Sequence, residues 1–194
     1  MALKIINVTK SFEDKVIFKS FSYEFKEKGL YILSGRSGVG KTTLLRMISG
    51  LDKDYEGDIV GAGIENTSVA FQEYRLFPML SAIDKAVIPS SSTRDAAIVK
   101  KAKDFLNYLG FSDSDLRLKP HELSGGMKQR VSLVRALVRK APILLLDEPT
   151  KELDGELKEK VRDLIHKESI SRLVILVTHD REEFNFDSII DIVI

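Results

Sequence analysis

Tyr31-Ile-Leu-Ser-Gly35-Arg36-Ser37-Gly38-Val39-Gly40-Lys41-Thr42-Thr43 is the stretch on which the reading of this chain turns. A short apolar run leads into it, and Leu44, Leu45 and Ile48 follow at helical spacing before a stop at Gly50. The spacing therefore predicts a strand over 31–33, a loop, and a helix over 41–49. Within the loop, Gly35 to Thr42 matches G-x-x-x-x-G-K-[ST], in the strand-to-helix context that the pattern needs. Glycines let backbone N–H groups turn toward a phosphate, and the helix N-terminus adds positive potential. The Lys41 ammonium is placed to reach β- and γ-phosphates, and the Thr42 hydroxyl to ligate Mg²⁺. These residues, with Thr43 on the first helical turn, form an expected binding site for a nucleoside triphosphate, ATP with Mg²⁺.

Further along, Pro142-Ile-Leu-Leu-Leu-Asp147-Glu148-Pro149 reads as a buried strand ending in two carboxylates. Adjacent acids alone are usually a solvated turn. At the carboxyl end of a core strand they lie where open α/β sheets place their ligands. With a phosphate loop in the same chain, Asp147 becomes a candidate Mg²⁺ ligand and Glu148 a candidate general base toward an attacking water.

A second helix N-terminus lies between these two motifs. Leu123-Ser124-Gly125-Gly126-Met-Lys-Gln-Arg130 opens a helix in which Met127, Val131, Val134 and Val138 keep helical spacing. Ser124 suits the N-cap, and the two glycines allow another group to approach the backbone closely. From the residues alone, simple capping would account for it.

The remaining chain alternates strands and helices. Strands are expected over 3–8, 16–18, 21–25, 69–71, 143–146, 173–177 and 189–194, and a helix over 155–167. Between residues 74 and 123 the character changes: Pro78, Pro89 and a Ser90-Ser91-Ser92 cluster precede a helix with Ile98, Ala102, Phe105, Leu106 and Leu109 on one face and Gly110 as its cap. That stretch is expected to be a mainly helical insertion, with residues 1–73 and 124–194 forming the nucleotide-binding core. The alternation argues for an α/β layer with a parallel sheet.

Bulk properties narrow the function. The 194 residues carry 30 basic and 29 acidic side chains, so no strong basic excess marks a dominant nucleic-acid surface, and none is expected. The absence of cysteine excludes disulfides and Cys-ligated zinc. No secretory leader is read at the N-terminus, and apolar runs fall far short of the roughly 18 residues of a spanning helix. Contact with a membrane is expected to go through a partner.

Taken together, the phosphate loop, the acidic pair and Leu-Ser-Gly-Gly-Met-Lys-Gln-Arg resemble the ATP-binding cassette ATPases in order and spacing, across essentially the whole chain. The resemblance implies an α/β fold with a P-loop NTPase core, a small antiparallel β-subdomain and a helical insertion. It implies that Gln72, in Ala-Phe-Gln-Glu, touches Mg²⁺ and the attacking water, and that His179 contacts the γ-phosphate. Phe12 matches the aromatic position that stacks on adenine, where a tyrosine is commoner. His121 and His166 match no such position. In this family two domains pack head to tail, so Ser124, Gly125 and Gly126 would complete the γ-phosphate site of a neighbour.

The expected role is therefore an ATP-hydrolysing subunit that powers a membrane transporter, bound to separately encoded transmembrane subunits on the cytoplasmic face. The coupling helix of such a subunit would be received around residues 75–80. Two segments, 71–78 and 121–130, look similar to nitrate-, sulfonate- and taurine-type importers. A soluble relative acting in DNA repair or translation, or a cell-division or lipoprotein-release ATPase, is the competing reading; the chain lacks the long coiled coils and the second cassette that such soluble relatives often carry. One departure stands out. Lys151-Glu152-Leu153-Asp154 replaces the Ser-Ala-Leu-Asp-like loop usual after the acidic pair.

Overall fold

The computed structural model describes residues 2–13, 15–73, 76–88, 95–179, 184 and 189–193. Two compact units emerge: residues 1–68, 141–147 and 166–194 make the first, and 69–140 with 148–165 make the second.

In the first unit, β1 (Lys4–Phe12) pairs antiparallel with β2 (Lys15–Glu24) on one side and β4 (Glu56–Val60) on the other. The stretches 16–18 and 21–25, expected as two strands, form the single strand β2. Bulges make this possible. Asn7 and Ser20 take positive φ values of 49° and 50°, and the register shifts between Ile5 and Val8. Side chains replace lost ladder bonds there: the Asn7 amide donates to Ser22 Oγ at 2.8 Å, and the Ser20 amide to Thr9 Oγ1 at 3.0 Å. Strand β4 went unforeseen because it is a largely exposed edge strand with no alternating apolar pattern.

The second sheet has the order β5-β6-β7-β3-β8, comprising β5 (Thr67–Ala70), β6 (Ile143–Asp147), β7 (Leu173–Val177), β3 (Gly29–Ser34) and β8 (Ile189–Val193). β3 runs parallel to β7 and β8, and β6 parallel to β7. Every residue of β6 and β7 is buried, as their unbroken apolar runs require. The register aligns Leu33 with Val177 and Val177 with Asp147. Three strands thus end along one edge, and the loops after β3, β6 and β7 leave from there. Helix α1 (Lys41–Ile48) follows β3 and buries Leu44, Leu45, Met47 and Ile48.

The second unit is helical: α2 (Ala82–Val87), α3 (Ala96–Tyr108), α4 (Gly125–Val138) and the first part of α5 (Gly155–Ser171). Side-chain caps start them. Ser81 accepts from the Asp84 amide, Asp95 from the Ala97 amide at 2.9 Å, and Asp154 from the Leu157 amide at 3.0 Å. Gly110, at φ 85°, ends α3 as its position predicted. Arg130 then ties α4 to that end, donating to the Leu109 carbonyl at 2.6 Å with its guanidinium over the Phe111 ring. Helix α2 escaped the sequence reading because six residues are too few to display a helical period.

Lys85 of α2 is fully buried, and its ammonium has no hydrogen-bond partner among the described residues. Burial lowers its pKa, opposed only by the charge of Asp84. A lysine whose folded-state pKa is depressed costs stability wherever the unfolded chain would hold the proton. Lys85→Met should therefore raise stability by about 1–3 kcal/mol at neutral pH, read from the urea midpoint, with the gain shrinking as pH rises through the lysine range.

Candidate functional site

The loop after β3 owes its shape to backbone that only glycine adopts readily. Gly35, Gly38 and Gly40 have φ of 146°, 75° and 117°. Gly40, at the N-cap of α1, also admits no side chain: a Cβ there would strike Ile17 and come within 3.1 Å of the Phe18 ring. Strand β2 is thus packed directly on the loop. Arg36, Ser37 and Gly38 stay exposed, so the backbone at the crest is open to a ligand. Lys41 is buried along its stem, and its ammonium donates to the carbonyls of Gly35 at 2.8 Å and Arg36 at 3.0 Å. A cation held by main-chain oxygens in a glycine-rich loop at a helix N-terminus is chemically matched to a polyphosphate.

One side-chain bond joins this loop to β6. The Thr42 hydroxyl, on the first turn of α1, donates to Asp147 Oδ2 at 2.7 Å. Asp147 is 4% exposed. The pair sets two hard oxygen donors side by side next to the phosphate loop, a set that fits Mg²⁺. Among the described residues no group of three or more His, Asp or Glu could hold a metal alone.

The first unit also carries Phe12 and His179. His179 is exposed, two residues past the end of β7. Phe12, at the tip of the β1–β2 hairpin, is 49% exposed. Beneath it lies a cluster that the sequence reading left without a role. Lys10, two residues back on the same strand face, sets its ammonium 4.6 Å from the Phe12 ring centroid. That ammonium is 2% exposed and bonds Asp52 at 3.1 Å, the Asp54 carboxylate at 3.2 Å and the Asp54 carbonyl. Burial works against its charge, but the two carboxylates prevail and raise its pKa. Asp52 and Asp54 lie more than forty residues downstream, beyond any local signal.

The second unit carries Gln72, Ser124–Gly126 and Glu148. Gln72 is exposed just after β5. Ser124 caps α4, accepting from the Met127 amide at 3.2 Å. The glycines after it have a structural reason within this chain. A Cβ on Gly126 would lie 2.9 Å from the Glu152 carbonyl oxygen, and one on Gly125 would strike the Glu152 carboxylate. The charged loop at 151–154 is thus laid along the first turn of α4. Glu148 has φ 52° and is 7% exposed, a left-handed backbone unusual for a side chain of this size.

The sequence matches the ABC transporter family over residues 18–151, which takes in the phosphate loop, the Ser124 helix and the acidic pair. The chain belongs to that family. It is 34% identical to the spermidine/putrescine import ATP-binding protein PotA of Fusobacterium nucleatum over 195 residues, covering 93% of this chain and 51% of that one. It is 38% identical to the Fe(3+) ions import ATP-binding protein FbpC of Agrobacterium fabrum, covering 91% and 54%. The chain therefore spans about half the length of the curated relatives it matches. Among solved structures, the ABC transporter cassette MJ0796, solved as a dimer, superposes with a TM-score of 0.84 at 30% identity, covering 98% of this chain and 94% of that one. A dimeric post-hydrolysis state of the same cassette, bound to ADP and Pi, superposes with a TM-score of 0.81 at 30% identity, covering 93% and 89%. The P-loop cassette fold, with its antiparallel and parallel sheets, is the one expected from the sequence.

Thr42→Val should remove the bond to Asp147 and leave that buried carboxylate short of a donor. The cost expected is about 1.5–3 kcal/mol, read as a lower urea midpoint without nucleotide.

Proposed function

We propose that this chain is the ATP-hydrolysing subunit of a membrane transporter of the import type. The observation that carries the reading is the Thr42–Asp147 bond, which sets the phosphate loop and the acidic strand end into one oxygen-lined corner. Whole-chain similarity runs to polyamine and iron(III) import subunits. The nitrate-, sulfonate- and taurine-type likeness rests on two short segments, and an import cassette is the reading common to both.

In this reading the adenine stacks on exposed Phe12, and the β- and γ-phosphates lie on the N–H groups of residues 36–43. Lys41 exchanges the Gly35 and Arg36 carbonyls for phosphate oxygens. Thr42 and Asp147 would hold Mg²⁺, and family resemblance assigns Gln72 to the same ion; when bound, the ion would offset the negative charge of the phosphates. Glu148 takes a proton from the attacking water as that water adds to the γ-phosphorus; the bond from that phosphorus to the β–γ bridging oxygen breaks, and ADP and inorganic phosphate are the products. His179 supports the γ-phosphate. Ser124, Gly125 and Gly126 serve the nucleotide of a second cassette, so ATP closes a head-to-tail dimer and hydrolysis releases it.

Contact with the membrane subunit is proposed around residues 75–80, of which Arg75 lies outside the described residues. Phe77 is 56% and Met79 78% exposed there, next to the short helix α2. Apolar side chains so open in a loop suit an apolar helix from a partner. No helix among the described residues is long and apolar enough to cross a membrane. A peripheral position on the cytoplasmic face follows from that partner.

Two variants test the reading. Lys41→Ala should abolish ATP binding, measured by fluorescence of a labelled nucleotide; wild-type turnover in it would sink the phosphate-loop assignment. Glu148→Gln should bind ATP, lose about 100-fold or more in kcat, and accumulate as an ATP-dependent dimer in light scattering. A strictly monomeric Glu148→Gln at saturating ATP would refute the shared site.

A further inference from the structure

Gln129 lies one turn into α4, four residues after Gly125, and is 7% exposed. Its carboxamide is used at both ends. The Nε2 donates to the Glu148 carbonyl at 2.7 Å, and the Oε1 accepts from the Glu152 amide at 3.1 Å. The partners dictate the orientation of the amide, since a carbonyl needs a donor and an N–H needs an acceptor. One side chain therefore grips the loop Pro149–Lys151 from both sides, leaving the carboxylate of Glu148 outside the grip.

What it grips is backbone under strain. A non-glycine residue in the left-handed region costs on the order of 1–3 kcal/mol and persists only where its surroundings over-determine it. Glu148 is such a residue, at φ 52°. Its carbonyl receives the short bond from Gln129 and a longer one, 3.4 Å, from the Lys151 amide. The far end of the loop is seated as firmly, with the Glu152 carbonyl against Gly126 on the first turn of α4. The helix start and the acidic residue are thus two ends of one hydrogen-bonded body.

We propose that Gln129 is a positioning residue, through which the Ser124–Gly126 helix start sets the direction of Glu148. The inference rests on the reading of Glu148 as general base and of Ser124–Gly126 as the contact to a neighbour's γ-phosphate. When that phosphate is engaged, α4 is held, and Gln129 passes the restraint to the Glu148 backbone. Each subunit then aims its own base only when its helix start is seated on the other's nucleotide.

The test is a double-mutant cycle on single-turnover ATP hydrolysis, using wild type, Gln129→Met, Glu148→Gln and the double variant. Gln129→Met keeps length and removes both bonds. It should slow hydrolysis about tenfold or more in the wild-type background, with ATP affinity within about twofold; the melting temperature should fall with the two lost bonds, and equally in both backgrounds. In the Glu148→Gln background it should cost nothing further, because a residue that acts through the base has no effect once the base is gone. Equal losses of rate in both backgrounds, a wild-type rate in Gln129→Met, or a fall in ATP affinity that matches the fall in rate would overturn the proposal. If Gln129→Met does not fold, Gln129→Glu replaces it, keeping the acceptor for the Glu152 amide while losing the donor to Glu148. If neither folds, Gln129 is a packing residue and the proposal fails. Wild-type hydrolysis by Glu148→Gln would instead overturn the parent reading.

Discussion

The hydrogen bond from the Thr42 hydroxyl to Asp147 joins two segments more than a hundred residues apart, and the site is organised around it. Thr42 is where it is because Gly35, Gly38 and Gly40 let the chain turn sharply out of β3 into α1. Asp147 is where it is because β6 is paired in parallel through β7 to β3, so that all three strands end on one edge. Such an edge collects loops while the strands beneath stay dry. A buried carboxylate there needs partners, and the hydroxyl on the first turn of α1 is one of them. The same two oxygens are where we propose that a hard cation is held.

The helical unit works by a different rule. Beside its apolar core it uses side chain-to-backbone bonds: Arg130 to the Leu109 carbonyl, and Gln129 to the Glu148 carbonyl and Glu152 amide. Contacts of this kind place backbone, so they can orient a neighbour without occupying the space a substrate needs. The motif Ser124–Arg130 accordingly has two faces. Ser124 is exposed at the helix start, with Gly125 and Gly126 lying against Glu152, while the glutamine and arginine one turn later are turned inward to hold α4 against its own unit.

Legibility varied with the range of the signal. The phosphate loop, α1, α3 with its Gly110 cap, α4, β6 and β7 could be read because each has a local pattern: a motif, a helical period or an unbroken apolar run. Strand β2 was split in the reading because its bulge at Ser20 breaks the alternation, and the Thr9 hydroxyl that repairs the ladder lies on another strand. Strand β4 and helix α2 were missed, one mostly exposed and one only six residues long. The Lys10 cluster was invisible for a harder reason. A lysine two residues from a phenylalanine in an exposed hairpin looks solvated until the fold brings Asp52 and Asp54 to it.

By itself the sequence determined the chemistry available to this chain: which residues can meet a phosphate, which carboxylates end a buried strand, and which helix starts on serine and glycine. Those are properties of contiguous residues, and short-range sterics and hydrogen bonding decide them. Only the tertiary structure decided which of these groups touch. Thr42 meets Asp147, Phe12 rests on Lys10, and the charged loop at 151–154, anomalous as sequence, lies along the start of α4. Each is a contact between segments brought together by strand order and helix packing, and no stretch of neighbouring residues encodes it.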